Sequence, residues 1–421
     1  MRIALVGLFA FACLFTHAQT LEQTDVRTDA KRMVDTLTSR TMSGRGYNGG
    51  DKLAAQYILD QFASYGLDTL RQPLPININT FPGNVDVAIS KKKLIAGKSF
   101  IVAAQSKSLK GKYKLRYVDF SKLDTTNLTA KRLGGKPNRV LCYDKEKMPV
   151  TVRKNWRDLL EVTNGFNAAG LVEVTTGNLT MTMSQELAPY TQIIVKDSAW
   201  NRTAKKITVD IEQQFKQPYT TQNAIGLVRG TLYPDSFIVV TAHYDHLGTL
   251  GRDVYFPGAN DNASGTAMMM QLAKSISQQP LKYTAVFIGF SGEEAGLVGS
   301  KYFTENPVVP LKNIKFLVNL DMNGTGEDGI KVVNGAVDTL NFKKLKTLNE
   351  QHGMLMASVQ PRGKAANSDH YFFSEAGVPA FFVYTLGGVS HYHDVYDRPE
   401  TLEMLEFNDL HKLFLLFLRS F

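Results

Sequence analysis

Two neighbouring carboxylates, Glu293 and Glu294, follow an apolar run, Tyr283 to Phe290, that reads as a buried strand. Successive residues at a strand end point in different directions. One carboxylate can therefore bind a metal while the other faces whatever the metal holds. The plain alternative is a solvated first helical turn, where acids favour the positive end of the macrodipole. Burying both charges is costly unless cations or hydrogen bonds compensate.

Other acids and histidines cluster in the same way. His243 and Asp245, in Ala242-His243-Tyr244-Asp245-His246, stand two apart and share one side of an extended chain. His243 suits a metal, and Asp245 suits that ring's other nitrogen. Asp261 lies in Gly258-Ala259-Asn260-Asp261-Asn262-Ala263-Ser264-Gly265, ahead of a helix, where a helix cap is the ordinary explanation. Asp321 closes the apolar run Ile314 to Leu320, and His393 lies in a loop, Ser390 to Asp394. Each residue alone has a bland reading as a turn, a cap or a solvated loop. Together they form a mixed nitrogen and oxygen donor set that suits zinc without sulfur. One carboxylate bridging two metals about 3.5 Å apart would make two sites from five residues. Glu293 is then left over, as a general base must be.

The elements that position these residues alternate. From Thr221 onward the pattern predicts strands at Ser236–Ala242, Tyr283–Phe290, Ile314–Leu320 and Pro379–Tyr384. Helices are expected at Ser264–Ser277, Glu293–Phe303, Thr339–His352 and Leu402–Phe421. Such alternation predicts an α/β fold, a mostly parallel sheet covered on both faces. Its ligands belong beyond the carboxyl ends of the strands, where these acids and histidines fall. Residues 25–72 read as helical around a Gly-rich loop at 44–50, with one helix at Asp25–Ser39 and another at Lys52–Tyr65. Residues 83–219 carry short strand-like segments, with helical stretches near Lys131 and from Trp156 to Asn167. The expected organisation is a leader at 1–18, a catalytic domain from 19–82 and 220–421, and a β-rich insert at 83–219.

Composition narrows the function. The formal charge is +9, but the basic residues are scattered apart from Lys91-Lys92-Lys93, and no arginine-rich helix appears. Nucleic acid is not an expected partner. Arg2, the apolar stretch Ile3–Phe15 and Thr16-His17-Ala18 read as a secretory signal peptide, which places the protein in the periplasm or outside the cell. No later segment has the ~20 apolar residues of a membrane span, so stable membrane insertion is not expected. Of the two cysteines, Cys13 would leave with the leader, and Ala-Phe-Ala-Cys makes a poor lipobox. Cys142, in an apolar run, reads as packed, and the mature chain would have no disulfide.

At this point the chain resembles the secreted zinc exopeptidases with co-catalytic metals: bacterial leucine aminopeptidases, aminopeptidase Y and the glutamate carboxypeptidase II group. The matching pieces are Ala242–Gly248, Gly258–Gly265, Glu293–Ser300, Asn319-Leu320-Asp321, Ser368-Asp369-His370 and Tyr392-His393, in the family's order. Phe166-Asn167-Ala168-Ala169-Gly170-Leu171 resembles part of a protease-associated insert. The resemblance implies a three-layer α/β/α catalytic domain with a mixed sheet, two zinc ions per chain and peptide substrates. Asp261 would bridge the metals. His243 and Asp321 would complete one site, Glu294 and His393 the other. Glu293 would be the base and Asp245 the orienter of His243. The expected activity is removal of N-terminal residues from peptides. The rival readings are a glutaminyl cyclase-like acyltransferase, a carboxypeptidase or dipeptidase, and a receptor-like module without catalysis. One departure stands out. Some relatives place an oxyanion-stabilising tyrosine before the Ser-Asp-His segment, whereas Arg362 to Asn367 holds none. Either the metals act alone or a donor such as Arg362 or Tyr384 helps, though these two read more simply as a surface arginine and a core tyrosine. Pocket specificity and oligomeric state are not encoded in these motifs.

Overall fold

The computed structural model describes residues 25–123, 133–156, 165 and 167–421. The leader, the helix expected near Lys131, most of that expected between Trp156 and Asn167, and Phe166 lie outside them. The chain opens with helices α1 (Val26–Leu37) and α2 (Gly50–Ser64). Apolar side chains at helical spacing turn inward, among them Ala30, Met33, Val34 and Leu37 in α1. Strand β1 (Asp68–Thr80) follows, in part of a stretch whose pattern suggested helix. It carries Pro73 and Pro75 and pairs only with the long β10, at the sheet edge. An edge strand is where proline's missing N–H is tolerated.

Residues 85–211 form a second sheet of eight strands: β2 (Val85–Ile89), β3 (Lys92–Lys93), β4 (Phe100–Val102), β5 (Leu109–Tyr117), β6 (Arg139–Asp144), β7 (Gly170–Thr175), β8 (Thr191–Lys196) and β9 (Lys206–Ile211). A short helix, α3 (Val150–Trp156), lies between β6 and β7. Its core holds Phe100, Cys142, Val172, Ile193 and Ile207, and also Leu247, Phe256 and Val395 from outside the sheet. Burial pushes the Cys142 thiol well above its usual range, and the residue is packed.

β10 (Gln214–Val228) returns the chain to the main sheet, beginning seven residues before the expected change of rhythm. There follow β11 (Tyr233–His243), the small pair β12 (Thr249–Leu250) and β13 (Val254–Tyr255), α4 (Gly265–Gln278), β14 (Tyr283–Phe290) and α5 (Val298–Glu305). Then come β15 (Ile314–Leu320), β16 (Gly329–Val333), α6 (Thr339–Gln351), β17 (Val359–Arg362), α7 (His370–Glu375), β18 (Ala380–Leu386) and α8 (Phe407–Arg419). The order is β1-β10-β14-β11-β15-β18-β16-β17. The centre, β14-β11-β15-β18, is parallel, while β10 and β16 join it antiparallel. Helices cover both faces. On one, α1, α2, α4 and α8 enclose a core with Met268, Phe287, Phe316 and Phe417; on the other, Phe303 of α5 and Phe373 of α7 pack on Phe290. No helix among the described residues is long and apolar enough to cross a membrane.

Candidate metal centre

The carboxyl ends of the three central strands set the site. β11 ends in His243, β15 leads into Asp321, and β14 leads into Glu293 and Glu294. Glu293 does not open a helix as the pattern predicted. Gly292, Gly296 and Leu297 all take positive φ, and helix α5 starts only at Val298. The two acids therefore sit on a tight turn. Glu293 donates its backbone N–H to Asp245 Oδ1 (3.2 Å).

Asp261 stands between two groups. Its Oδ1 lies 3.4 Å from His243 Nε2, and its Oδ2 lies 3.0 Å from His393 Nε2. His243 Nε2 is also 3.4 Å from Asp321 Oδ1, and His393 Nε2 is 3.0 Å from Glu294 Oε2. Two sets of donor atoms are close enough to hold a cation: His243, Asp261 and Asp321, and His246, Asp261 and Glu294. His246 was not singled out by the sequence, although it stands in the same motif. Its Nδ1 is 2.6 Å from Glu294 Oε1, while His393 Nε2 reaches both carboxylates of that group. His246 Nε2 is buried without a hydrogen-bond partner, so both rings present a nitrogen to this group.

The supporting contacts explain why these side chains face inward. Asp245 keeps its carboxylate for the Tyr47 hydroxyl (2.8 Å) and the Glu293 N–H, and its Oδ1 is 3.8 Å from His243 Nδ1. The group on that nitrogen is Asp245's own carbonyl oxygen, at 3.2 Å. Asp245 thus meets the ring through its backbone, not through the carboxylate as expected. Ser368 Oγ donates to Asp321 Oδ2 (2.9 Å). Asp397, fully buried, accepts the N–H groups of Asn260 (2.8 Å) and Asp261 (2.9 Å). Buried Arg45 donates to the carbonyls of Leu37, Pro257, Gly258 and Asp261. The Asp261–Asn262 peptide is cis. Asp369 precedes α7 but makes no cap hydrogen bond. Arg362 and Tyr384 bond to each other, whereas Tyr392 stacks on the His393 ring at 3.8 Å. Tyr47 and Arg45 lie 198 and 216 residues from Asp245 and Asp261, and Asp397 lies 136 residues from Asp261, so no local pattern exposes them.

The electrostatics call for cations. Although burial opposes it, Asp321 and Glu293 hold His243 well above its ordinary range. Glu294 and Asp261 likewise raise His393 to about 11. Burial raises Glu293 far above a normal carboxylate, with Glu294, Asp369 and Asp321 adding and His243 opposing. Against burial and Asp261, His393 and His246 hold Glu294 down at about 2. Protons on the histidines stand where positive charge is needed. Asp321 Oδ1 is buried and has no hydrogen-bond partner. The 3.4 Å separations match the ~3.3 Å edge of a tetrahedron with zinc–ligand bonds of about 2.0–2.1 Å. The residues fit zinc.

Comparison with known proteins agrees with this geometry. Residues 223–418 match Peptidase family M28. The chain resembles the co-catalytic zinc aminopeptidases. Over 168 residues it is 34% identical to aminopeptidase YwaD of Bacillus subtilis, a stretch covering 38% of this chain and 34% of that one. The chain spans about a quarter to a half of the length of the curated relatives it matches. The fold is that of a zinc aminopeptidase from Bacillus subtilis, with TM-score 0.72, 20% identity and 94% of each chain covered. A glutaminyl cyclase from Porphyromonas gingivalis shares the fold less closely, with TM-score 0.52, 12% identity and 94% and 99% of the two chains covered.

Proposed function

We propose that this chain is an exported zinc aminopeptidase that hydrolyses N-terminal residues from peptides, with residues 83–219 as an inserted β-rich domain. The observation that carries the reading is Asp261. One oxygen lies 3.4 Å from His243 Nε2, which is 3.4 Å from Asp321, and the other lies 3.0 Å from His393 Nε2, which is 3.0 Å from Glu294. That is the arrangement one bridging carboxylate needs to serve two metals. Zinc bound there would supply Lewis acidity to a water and to the scissile carbonyl. The remaining chemistry belongs to the chain. Glu293 takes the proton of the attacking water as the new C–O bond forms, then passes it to the amine as the C–N bond breaks. Burial and neighbouring acids raise its proton affinity in the metal-free chain, and bound cations would lower it towards the range a base needs. Asp245 fixes the Glu293 backbone through Oδ1 and is itself held by Tyr47.

The buried guanidinium at the site is not free to bind a substrate carboxylate. A carboxypeptidase needs a fixed cation for the substrate's carboxylate. Arg45 has its terminal nitrogens committed to four carbonyl oxygens. The test uses aminoacyl amides and matching N-blocked peptides, with and without chelator, on the wild type and on Glu293→Gln. Cleavage of the free-amine substrates alone, lost with chelator and restored by Zn2+, is expected. Glu293→Gln should keep its zinc and lose about 10²–10⁴ in kcat. Cleavage of blocked peptides, or near-full activity in Glu293→Gln, would overturn the reading.

A further inference from the structure

We infer that the segment Met181–Gln185, which belongs to the stretch between β7 and β8 of the second sheet, is the positioning element of the His393–Glu294 metal group. The inference rests on the zinc reading above. Met181 meets His393 twice: its N–H donates to the His393 carbonyl (2.9 Å), and its own carbonyl accepts from His393 Nδ1 (3.0 Å). The second bond fixes the proton on Nδ1 and leaves Nε2 to face Asp261 and Glu294. The first holds a backbone that needs holding, because His393 takes φ +54, a region that non-glycine residues rarely occupy. Gln185, four residues on, donates Nε2 to the carbonyl of Ala295 (2.8 Å), the residue next to Glu294. Met181 is buried in the core of the second sheet, together with Val395 from the His393 loop.

The two metal groups are therefore built differently. His243 is oriented by the Asp245 carbonyl and Asp321 by Ser368, all from the main α/β unit. His393 and the Glu294 turn are both tied to the second sheet, 212 and 110 residues away in sequence. A partner on a ligand's distal nitrogen is worth roughly 10–100-fold in metal affinity. The second sheet therefore sets the affinity of one metal group and leaves the other alone.

The test is a Zn2+ titration of the full chain, stripped of metal, against a competing chromophoric chelator. His393→Ala identifies the step belonging to the second group, and His243→Ala the other. Met181→Pro removes the N–H that holds the His393 carbonyl. It should weaken the His393 step about 5–100-fold, the cost of leaving the His393 carbonyl without its donor, while the His243 step stays within about threefold. Met181→Ala, which keeps the backbone bonds, should weaken it much less. Equal weakening of both steps, or of neither, overturns the inference. If Met181→Pro fails to fold, Gln185→Ala decides, with a loss of several-fold expected in the His393 step alone and no selective loss counting against. A wild-type chain that binds fewer than two zinc ions overturns the zinc reading and this inference with it, and shows itself before any variant is made.

Discussion

Asp397 offers a test of how the bridging acid is held. Its carboxylate lies 3% exposed beneath the turn that carries Asp261, accepting the Asn260 N–H at 2.8 Å and the Asp261 N–H at 2.9 Å. Truncation to Ala leaves both donors buried. An orphaned buried N–H costs about 1–3 kcal/mol, so the pair is worth about 2–6 kcal/mol. Part of this is returned. Burial raises the Asp397 pKa, which means that the ionised acid is itself held at a cost, and the Ala variant is relieved of it. The net expectation for Asp397→Ala is a loss of about 2–4 kcal/mol in urea unfolding of the metal-free protein. Asp397→Asn should do no better. Its amide presents one acceptor and turns a donor towards the other N–H. If Asp261 bridges two metals as proposed, both zinc-binding steps should weaken together, in contrast to the one-sided effect of changing Met181. A loss below about 1 kcal/mol in both variants would refute the view that these two bonds carry the turn.

Two further outcomes follow from contacts away from the metals. The Lys274 hydrogen bond, with help from Arg32 and against burial, lowers the pKa of Asp29, whose carboxylate links α1 to α4 at 2.7 Å. A folded-state pKa below the unfolded value means stability that is present above about pH 4 and is lost as pH falls through the folded pKa. Asp29→Asn should therefore cost about 1 kcal/mol near neutrality, and the gap to the wild type should close in acid denaturation series below about pH 4. Gly265 begins α4 where an added Cβ would overlap the side-chain oxygen of Asn262 and the carbonyl oxygen of Leu320. Gly265→Ala should cost about 1–3 kcal/mol and push Asp261 away from Asp321. Urea unfolding and the His243-dependent zinc step read the two effects separately.

What was legible in the sequence is what is local. The central strands were readable because their apolar runs are continuous, as buried parallel strands require, and the acids and histidines stand directly at their ends. The His243, Asp261, Glu293-Glu294, Asp321 and His393 motifs thus named the residues that the structure brings together. β1 was missed because Pro73 and Pro75 argue against a strand unless its place at the edge is known. The Glu293 turn was taken for a helix because nothing local declares that Leu297 will adopt a left-handed backbone. Asp245 beside His243 is legible, whereas the orienting contacts from distant segments are not. Tyr47 with Asp245 and Met181 with His393 join residues about 200 positions apart, and only the folded chain pairs them.

The charge balance explains why so many acids can be buried together. Asp245, Asp261, Glu293, Glu294, Asp321, Asp369 and Asp397 gather at the site, and buried Arg45 feels four of them, Asp261, Asp397, Asp245 and Glu294. Without metal, protons on His243 and His393 supply part of the missing positive charge, which is why both histidines titrate high. Two divalent ions would bring four positive charges and release those protons, because a ligating imidazole must be neutral. Two of the seven acids are the natural holders of any proton that stays. They are Glu293, raised well above the usual range, and Asp369, pushed up to about 7 by burial. Neither belongs to the two donor sets that meet at Asp261. The acids that face a cation are thereby separated from two that do not, and Glu293, next to Glu294 in the chain, falls outside the donor sets, where nearby cations would favour its ionised form and leave it able to take up a proton.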